Sequence, residues 1–318
     1  MTAITQSPPA MFALRTACAG LRTVFHYAPW HFGKQWLWDT IVHRYIVWRE
    51  LPIVARTRFG ARLEGSFPDA VHSYVYFFGV WEPAITAIYR AALKPGDVVI
   101  DIGANVGLHT LLASGLVGPE GRVHAIEASP WIHARLLRNL AANGATNVTT
   151  YNMAAAVERS QVGVYLHDTT NLGGTTIVAE EAARSGAAFE AMVDARPLSQ
   201  IVPMEELLAA RLIKIDVEGA EWLVAQGMGD VLPRLRADVE ILVEVKPDAL
   251  AALGGSLDMF LALFERAGFM AYEIENSYQP ADYMRPCRAT PQPLRRRDFD
   301  MADLVFRRAP PSRDAGAG

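Results

Sequence analysis

The sequence predicts an α/β fold, a mostly parallel sheet with helices on both faces, and three observations carry that expectation. Val98–Ile102 is an apolar run broken only by Asp101; a glycine-rich turn through Gly107 and the helical series Leu108, Leu111, Leu112 and Leu116 follow it. Apolar runs recur at residues 122–126, 148–153, 212–217, 241–245 and 270–274, separated by amphipathic stretches. The chain has 318 residues, of which 51% are hydrophobic and 20% charged, enough to bury a large core and to append a further region to one catalytic domain.

From the N-terminus, residues 11–24 read as a short helix and residues 31–48 as a second. In the second, Phe32, Trp36, Trp38, Ile41, Tyr45 and Trp48 sit among His43, Arg44 and Arg49. Such a helix could make peripheral membrane contact or dock on a partner. The plainer expectation is packing on its own catalytic domain, because aromatics bury large areas. Pro52 ends it, and residues 54–58 and 61–64 around Phe59-Gly60 read as a hairpin. The expected organisation is an aromatic-rich helical region (1–51), a hairpin and helix leading into the core (52–95), a catalytic domain (96–308) and a disordered tail (309–318).

The turn after residues 98–102 carries the chemistry. Four β-branched residues suit a strand covered on both sides, and Asp101 falls at its carboxyl end, where open α/β sheets bind ligands. Gly103 and Gly107 permit a tight turn and close backbone approach, and the helix that follows points free amides at a ligand. A dinucleotide site uses G-x-G-x-x-G, but here the pattern is D-x-G-x-N-x-G, with Asn105 where the middle glycine would stand. The amide argues for a smaller ligand held by polar side chains. Glu127, at the end of the next run, is placed to accept both hydroxyls of a ribose. A nucleoside cofactor follows, with S-adenosylmethionine fitting the loop better than a dinucleotide.

Around this turn the chain resembles the FkbM-type family of S-adenosylmethionine-dependent methyltransferases. The resemblance rests on Asp101-Ile-Gly-Ala-Asn-Val-Gly107, Phe78-Gly-Val-Trp-Glu-Pro83 and Lys214-Ile-Asp-Val-Glu-Gly-Ala-Glu221, and it covers residues 52–308. It implies a seven-stranded class I methyltransferase (Rossmann-like) fold and O-methylation of hydroxyls on sugars, glycans or complex natural products. It also implies a cofactor role for Glu82 and a position beside the adenine for Asn152 and Ala154.

Residues 131–143 read as a helix with Ile132, Leu136, Leu137 and Leu140 on one face, stopped by Asn143-Gly144. Residues 148–153 form the third strand, and Ala154-Ala155-Ala156 leave room for a flat ring. Residues 162–166 read as an edge strand, 171–175 as a flexible loop and 180–192 as a solvated helix or mobile lid. The fourth strand is 212–217, the fifth 241–245 and the sixth 270–274, preceded by an amphipathic helix over 257–267. Residues 285–297 are a loop rich in proline and arginine, and 303–306 supply the last strand, antiparallel in the resembled fold.

Asp216 ends the fourth strand as Asp101 ends the first, so parallel topology places both acids on one rim. Lys214 faces the same side as Asp216 at period two and is its expected partner; Lys246 is the expected partner of Glu244. Glu218 and Glu221 suit a helix N-terminus. Asp216 is the expected base or hydroxyl orienter for methyl transfer, with Glu218 and Glu244 as further polar contacts. These three could also offer oxygens to a divalent cation, but the spacing lacks a diagnostic ligand array, and no metal is assigned. The rival classes are an NAD(P)-dependent oxidoreductase, disfavoured by the missing glycine and the lack of a Tyr-x-x-x-Lys, and a cofactor-binding module without catalysis.

A net charge of -4 argues against a nucleic-acid partner. The two cysteines, Cys18 and Cys287, give no disulfide framework. With no apolar run of spanning length and no secretion signal, the expected location is the cytoplasm.

Overall fold

A computed structural model describes residues 8–28, 33–166, 174–285, 287 and 289–308. Phe32, most of the expected loop at 171–175 and the expected tail lie outside the described residues. The chain forms two units, residues 1–83 with 277–287 and residues 84–276 with 288–318.

The first unit begins with α1 (Pro8–Tyr27), α2 (Lys34–Leu37), a π-helical turn (Trp38–Val42) and α3 (His43–Tyr45). The expected helix over 31–48 is thus interrupted. The Val47 amide reaches the Val42 carbonyl, a five-residue step that widens the turn. Trp38, Val42 and Ile46, four apart, are buried together with Val47, while Trp36, Tyr45 and Trp48 face outward. Next come β1 (Leu51–Arg56) and β2 (Arg62–Phe67), an antiparallel hairpin pairing Leu51 with Phe67 and Arg56 with Arg62. In α4 (Ala70–Phe78) the Asp69 carboxylate caps the first turn by accepting from the His72 amide, and Gly79 at φ 73° ends the helix. Phe77 and Phe78 meet the edge of Phe25 at 5.8 and 5.4 Å, and Trp38 lies 4.8 Å from Phe78. Of the segment's four described tryptophan and tyrosine rings only Trp38 is buried, and it packs on Phe25, Phe77 and Phe78 of this first unit.

The second unit takes up the chain within α5 (Pro83–Ala92) and alternates β3 (Val98–Ile102), α6 (Leu108–Val117), β4 (Arg122–Ile126), α7 (Pro130–Ala142) and β5 (Val148–Tyr151). It continues through β6 (Ala154–Ala155), β7 (Ser160–Leu166), α8 (Ala179–Ser185), β8 (Ala188–Arg196), α9 (Met204–Ala209), β9 (Ala210–Ile215) and α10 (Glu221–Gly227). The last elements are β10 (Glu240–Val245), α11 (Pro247–Ala252), α12 (Leu257–Arg266), β11 (Phe269–Ile274), β12 (Gln292–Pro293) and β13 (Ala302–Arg308).

The main sheet runs β12-β11-β13-β10-β9-β3-β4-β5. From β10 through β9, β3 and β4 to β5 the strands are parallel, and β13 is antiparallel to both β10 and β11. Without the two-residue edge strand β12, this is the seven-stranded class I order with its reversed strand inserted last but one. The order in which strands are added reverses between β3 and β9, so the ligand crevice belongs at their carboxyl ends. Ile213, Ile215, Ile241, Val243, Phe260, Phe264 and Phe306 form part of a continuous core between this sheet and its helices.

Three further expectations change. The stretch at 180–192 is no single helix: Gly186 at φ 74° ends α8, and alternating side chains continue as β8. The strands at 148–153 and 162–166 do not share a sheet, because the third strand stops at Tyr151. Ala154–Ala155 instead joins β8, and β7 pairs with β8 in a separate sheet ordered β6-β8-β7. The loop expected over 285–297 contains β12.

Candidate active site

Two loops at the switch point are built against each other. Gly103 has φ +82°, and a Cβ there would stand 1.7 Å from the Asp216 carbonyl oxygen. The turn thus makes a close approach to the backbone just past β9. Gly107, at φ +92°, caps α6 and faces Leu136 at 2.6 Å from its Cβ position. Asn105 adopts φ 49°, a region asparagine tolerates. Its side chain accepts from the Val106 amide at 2.7 Å, and its own amide donates to Glu127 Oε2 at 2.8 Å.

Glu127 is buried, and its other oxygen accepts from the Ser129 amide at 2.9 Å. Burial pushes its carboxyl up to about 7 against these two hydrogen bonds, which favour the charged form. A carboxylate has about four acceptor positions, so each oxygen keeps capacity for a further donor. That capacity fits a ribose diol. Asp101, on β3, accepts from the Thr110 hydroxyl at 2.6 Å; its Oδ1 is buried without a hydrogen bond, and burial raises its pKa. Asp101 therefore braces α6 against β3.

Asn152 donates to the Glu127 and Ala128 carbonyls, both at 2.9 Å, and Ala154 is buried on β6. Asn152 thereby ties the end of β5 to the segment just past β4. Glu82 belongs to the first unit; it is buried, has φ 46°, and accepts from the Tyr278 hydroxyl at 2.9 Å. Glu190 is a neighbour the sequence did not point to: on β8, it accepts from the Ser129 hydroxyl at 2.7 Å and the Trp131 amide at 2.8 Å, fixing the start of α7. Replacing Glu127 with Gln should weaken nucleoside cofactor binding by about 10- to 100-fold, the usual worth of a charged hydrogen-bond acceptor. Calorimetric titration of the variant with S-adenosylmethionine checks this.

The acids of the second loop meet the end of β10. Asp216, Glu218 and Glu244 each offer an oxygen within 4.8 Å of the others. Cations of the chain already sit among them. Lys214 donates to Asp216 at 2.6 Å, while the Lys246 ammonium lies 2.8 Å from Glu218 and 2.7 Å from Glu244. Both pairings expected from the sequence are present.

Burial opposes ionisation of Asp216, but the charge and hydrogen bond of Lys214 outweigh it and hold its pKa low. Glu218 is pushed up to about 8, first by burial and then by the Asp216 charge, against the pull of Lys246. Glu244 is raised by the same two causes. Glu221 clamps the loop: one oxygen accepts from the Val217 and Gly219 amides at 3.2 and 3.1 Å, and burial raises its pKa to about 7. Glu218 itself has φ 49°.

A cavity of about 330 Å³ opens beside Glu218 and Lys246, lined further by Glu181, Arg184, Asp248 and Asp300. The sequence did not single out these lining residues, because α8 and the segment before β13 approach the rim only through the tertiary fold. Asp303, opposite Glu244 in the β10–β13 register, was likewise missed; burial and then Glu244 raise it to about 7.

Proteins similar to this chain include methyltransferases. The 31-O-demethyl-FK506 methyltransferase FkbM of Streptomyces tacrolimicus is 28% identical over 206 residues, covering 56% of this chain and 74% of that protein. The protein-L-isoaspartate O-methyltransferase of Ignicoccus hospitalis is 42% identical over 62 residues, 20% of this chain; the chain spans only 29% of that protein's length. A solved methyltransferase FkbM from Methylobacillus flagellatus is 16% identical, with a TM-score of 0.38, covering 74% of this chain and 52% of that one. The family model described as the methyltransferase FkbM domain matches residues 101–270, just over half of the chain, and the chain belongs to that family.

Proposed function

We propose that this chain methylates a hydroxyl oxygen of a sugar, glycan or other hydroxylated natural product, with S-adenosylmethionine as the donor. The observation that supports this reading is Glu218, a carboxyl raised to about 8 on the wall of the charged cavity and beside Asp216 and Glu244. S-adenosylmethionine, when bound, supplies an activated methyl group.

Glu127 accepts the ribose hydroxyls, the turn through Gly103, Asn105 and Gly107 holds the backbone side of the donor, and Asn152 with Ala154 flanks the base. On the acceptor side Glu218 takes the hydroxyl proton. Asp216, held ionised by Lys214, is a weak base and serves to orient the hydroxyl. Lys246 fixes Glu218 and Glu244 in place. Holding two reactants in line is worth about 7–11 kcal/mol, and a base adds about 10²- to 10⁴-fold. Positioning therefore supplies most of the rate.

The cavity favours an acceptor rich in hydroxyls, since Glu181, Glu218, Asp248 and Asp300 are all acceptors for O–H donors. The unit that carries the site bears a sequence charge of -7, which repels a polyanion such as nucleic acid. The test is transfer of label from S-adenosylmethionine to a panel of sugars, glycans and polyketide alcohols, with the methyl ether located by mass spectrometry. Asp216→Asn should keep donor affinity within about two-fold while slowing turnover by roughly ten-fold or more. Donor binding without turnover on any alcohol supports the non-catalytic module, and a thermal shift with a nicotinamide dinucleotide alone supports the oxidoreductase.

A further inference from the structure

We propose that Glu190 is a positioning residue of the donor site, an inference that rests on Glu127 accepting the ribose hydroxyls. It holds the start of α7, and through Ser129 it keeps the Glu127 carboxylate turned toward those hydroxyls. Two amides fix that carboxylate, Asn105 on Oε2 at 2.8 Å and Ser129 on Oε1 at 2.9 Å. Asn105 is set within its own turn, where its side chain accepts from the Val106 amide. Ser129 is set from outside.

The start of α7 does not complete itself. Pro130 stands first in the helix and offers no N–H, and the Ile132 amide donates to the Ser129 hydroxyl oxygen at 3.1 Å as an ordinary serine cap. The Ser129 O–H and the Trp131 N–H are left over. Glu190 takes both, one on each oxygen, at 2.7 and 2.8 Å. A hydroxyl has one proton to give, so this bond fixes the Ser129 rotamer as well as its place. Ser129 is fully buried, where an O–H without an acceptor is costly.

Glu190 comes from a different sheet. It lies on β8, which pairs with β7 and, at Ala195, with Ala154 of β6. The same strand therefore pairs with the residue assigned to the base and bonds the helix start assigned to the ribose. A neutral side chain of the same shape would not serve, because only one end atom of an amide accepts. The carboxylate has a consequence for its neighbour: burial first, and then the charges of Asp101 on β3 and Glu190 on β8, push Glu127 up to about 7 against its two amide bonds.

The test is calorimetric titration of the full chain with S-adenosylmethionine across neutral pH, on the unaltered protein, Glu190→Gln, Ser129→Ala, their double variant and Glu127→Gln. Affinity of the unaltered protein should rise with pH through about 7, since Glu127 accepts two hydroxyls best when ionised. Glu190→Gln should weaken binding by about ten-fold above that limb, and it should move the limb to lower pH because one of two like charges is gone. Damage confined to the helix start would not move it. Ser129→Ala cuts the same bond while leaving Glu190 in place and should cost about five-fold, with the two losses falling short of additive in the double variant. Native affinity in Glu190→Gln beside weakened binding in Glu127→Gln would overturn the proposal and leave the ribose reading standing; native affinity in Glu127→Gln would overturn both. A limb that stays in place, or losses that add, would reduce Glu190 to a cap of α7 and overturn the proposal as well.

Discussion

Gly103→Ala should abolish donor binding and strip several kcal/mol of stability from the second unit. Two costs combine. The left-handed φ of +82° penalises any side chain by about 1–2 kcal/mol. The new methyl group would also stand 1.7 Å from the Asp216 carbonyl oxygen, and neither backbone can yield without moving the β3 or β9 loop. Relief of that clash should bring the total above about 4 kcal/mol, the range reserved for rebuilt cores and broken sites. Gly96 separates the costs, for it has φ +87° with nothing within 4 Å of its Cβ position. Gly96→Ala should therefore lose only about 1–2 kcal/mol and bind donor normally. Urea denaturation and calorimetry on both variants check this; equal losses would mean that strain, not the contact between the two loops, governs the site.

The contrast between Gly103 and Glu190 shows what a sequence discloses. Strand, acid and glycine turn were legible because each is a local signal, with β-branched runs for buried strands and glycine where φ turns positive. Pairing at period two was legible as well, so Lys214 with Asp216 and Lys246 with Glu244 were expected and are present. What glycine contacts is not local. The turn at Gly103 announced a close approach, but only the parallel register of β3 with β9 makes Asp216 the group approached. Glu190 lay in a stretch whose alanine content suggested a helix, and its role depends on β8 bringing it to Ser129. Asp303 required the antiparallel insertion of β13, which sets it opposite Glu244. Outward and inward rings at 36–48 separated only once the π-helical turn had changed the period.

Replacing Glu218 with Gln should slow turnover by about 10²- to 10⁴-fold, the usual contribution of a general base. The pH profile carries the stronger argument. Glu218 must be ionised to take a proton, and with a pKa raised to about 8 it is mostly protonated at neutrality, so turnover should climb as pH rises through about 8. Its two neighbours move that limb in opposite directions. Asp216 raises the Glu218 pKa by repulsion, so Asp216→Asn should shift the limb to lower pH even as it costs rate. Lys246 lowers the same pKa by attraction, so Lys246→Met should shift the limb to higher pH. A base located elsewhere would not respond to both charges with opposite signs. If the two variants displace the limb the same way, or the limb survives in the Gln variant, Glu218 is not the base, and its bond to Lys246 is then a structural ion pair at the cavity wall.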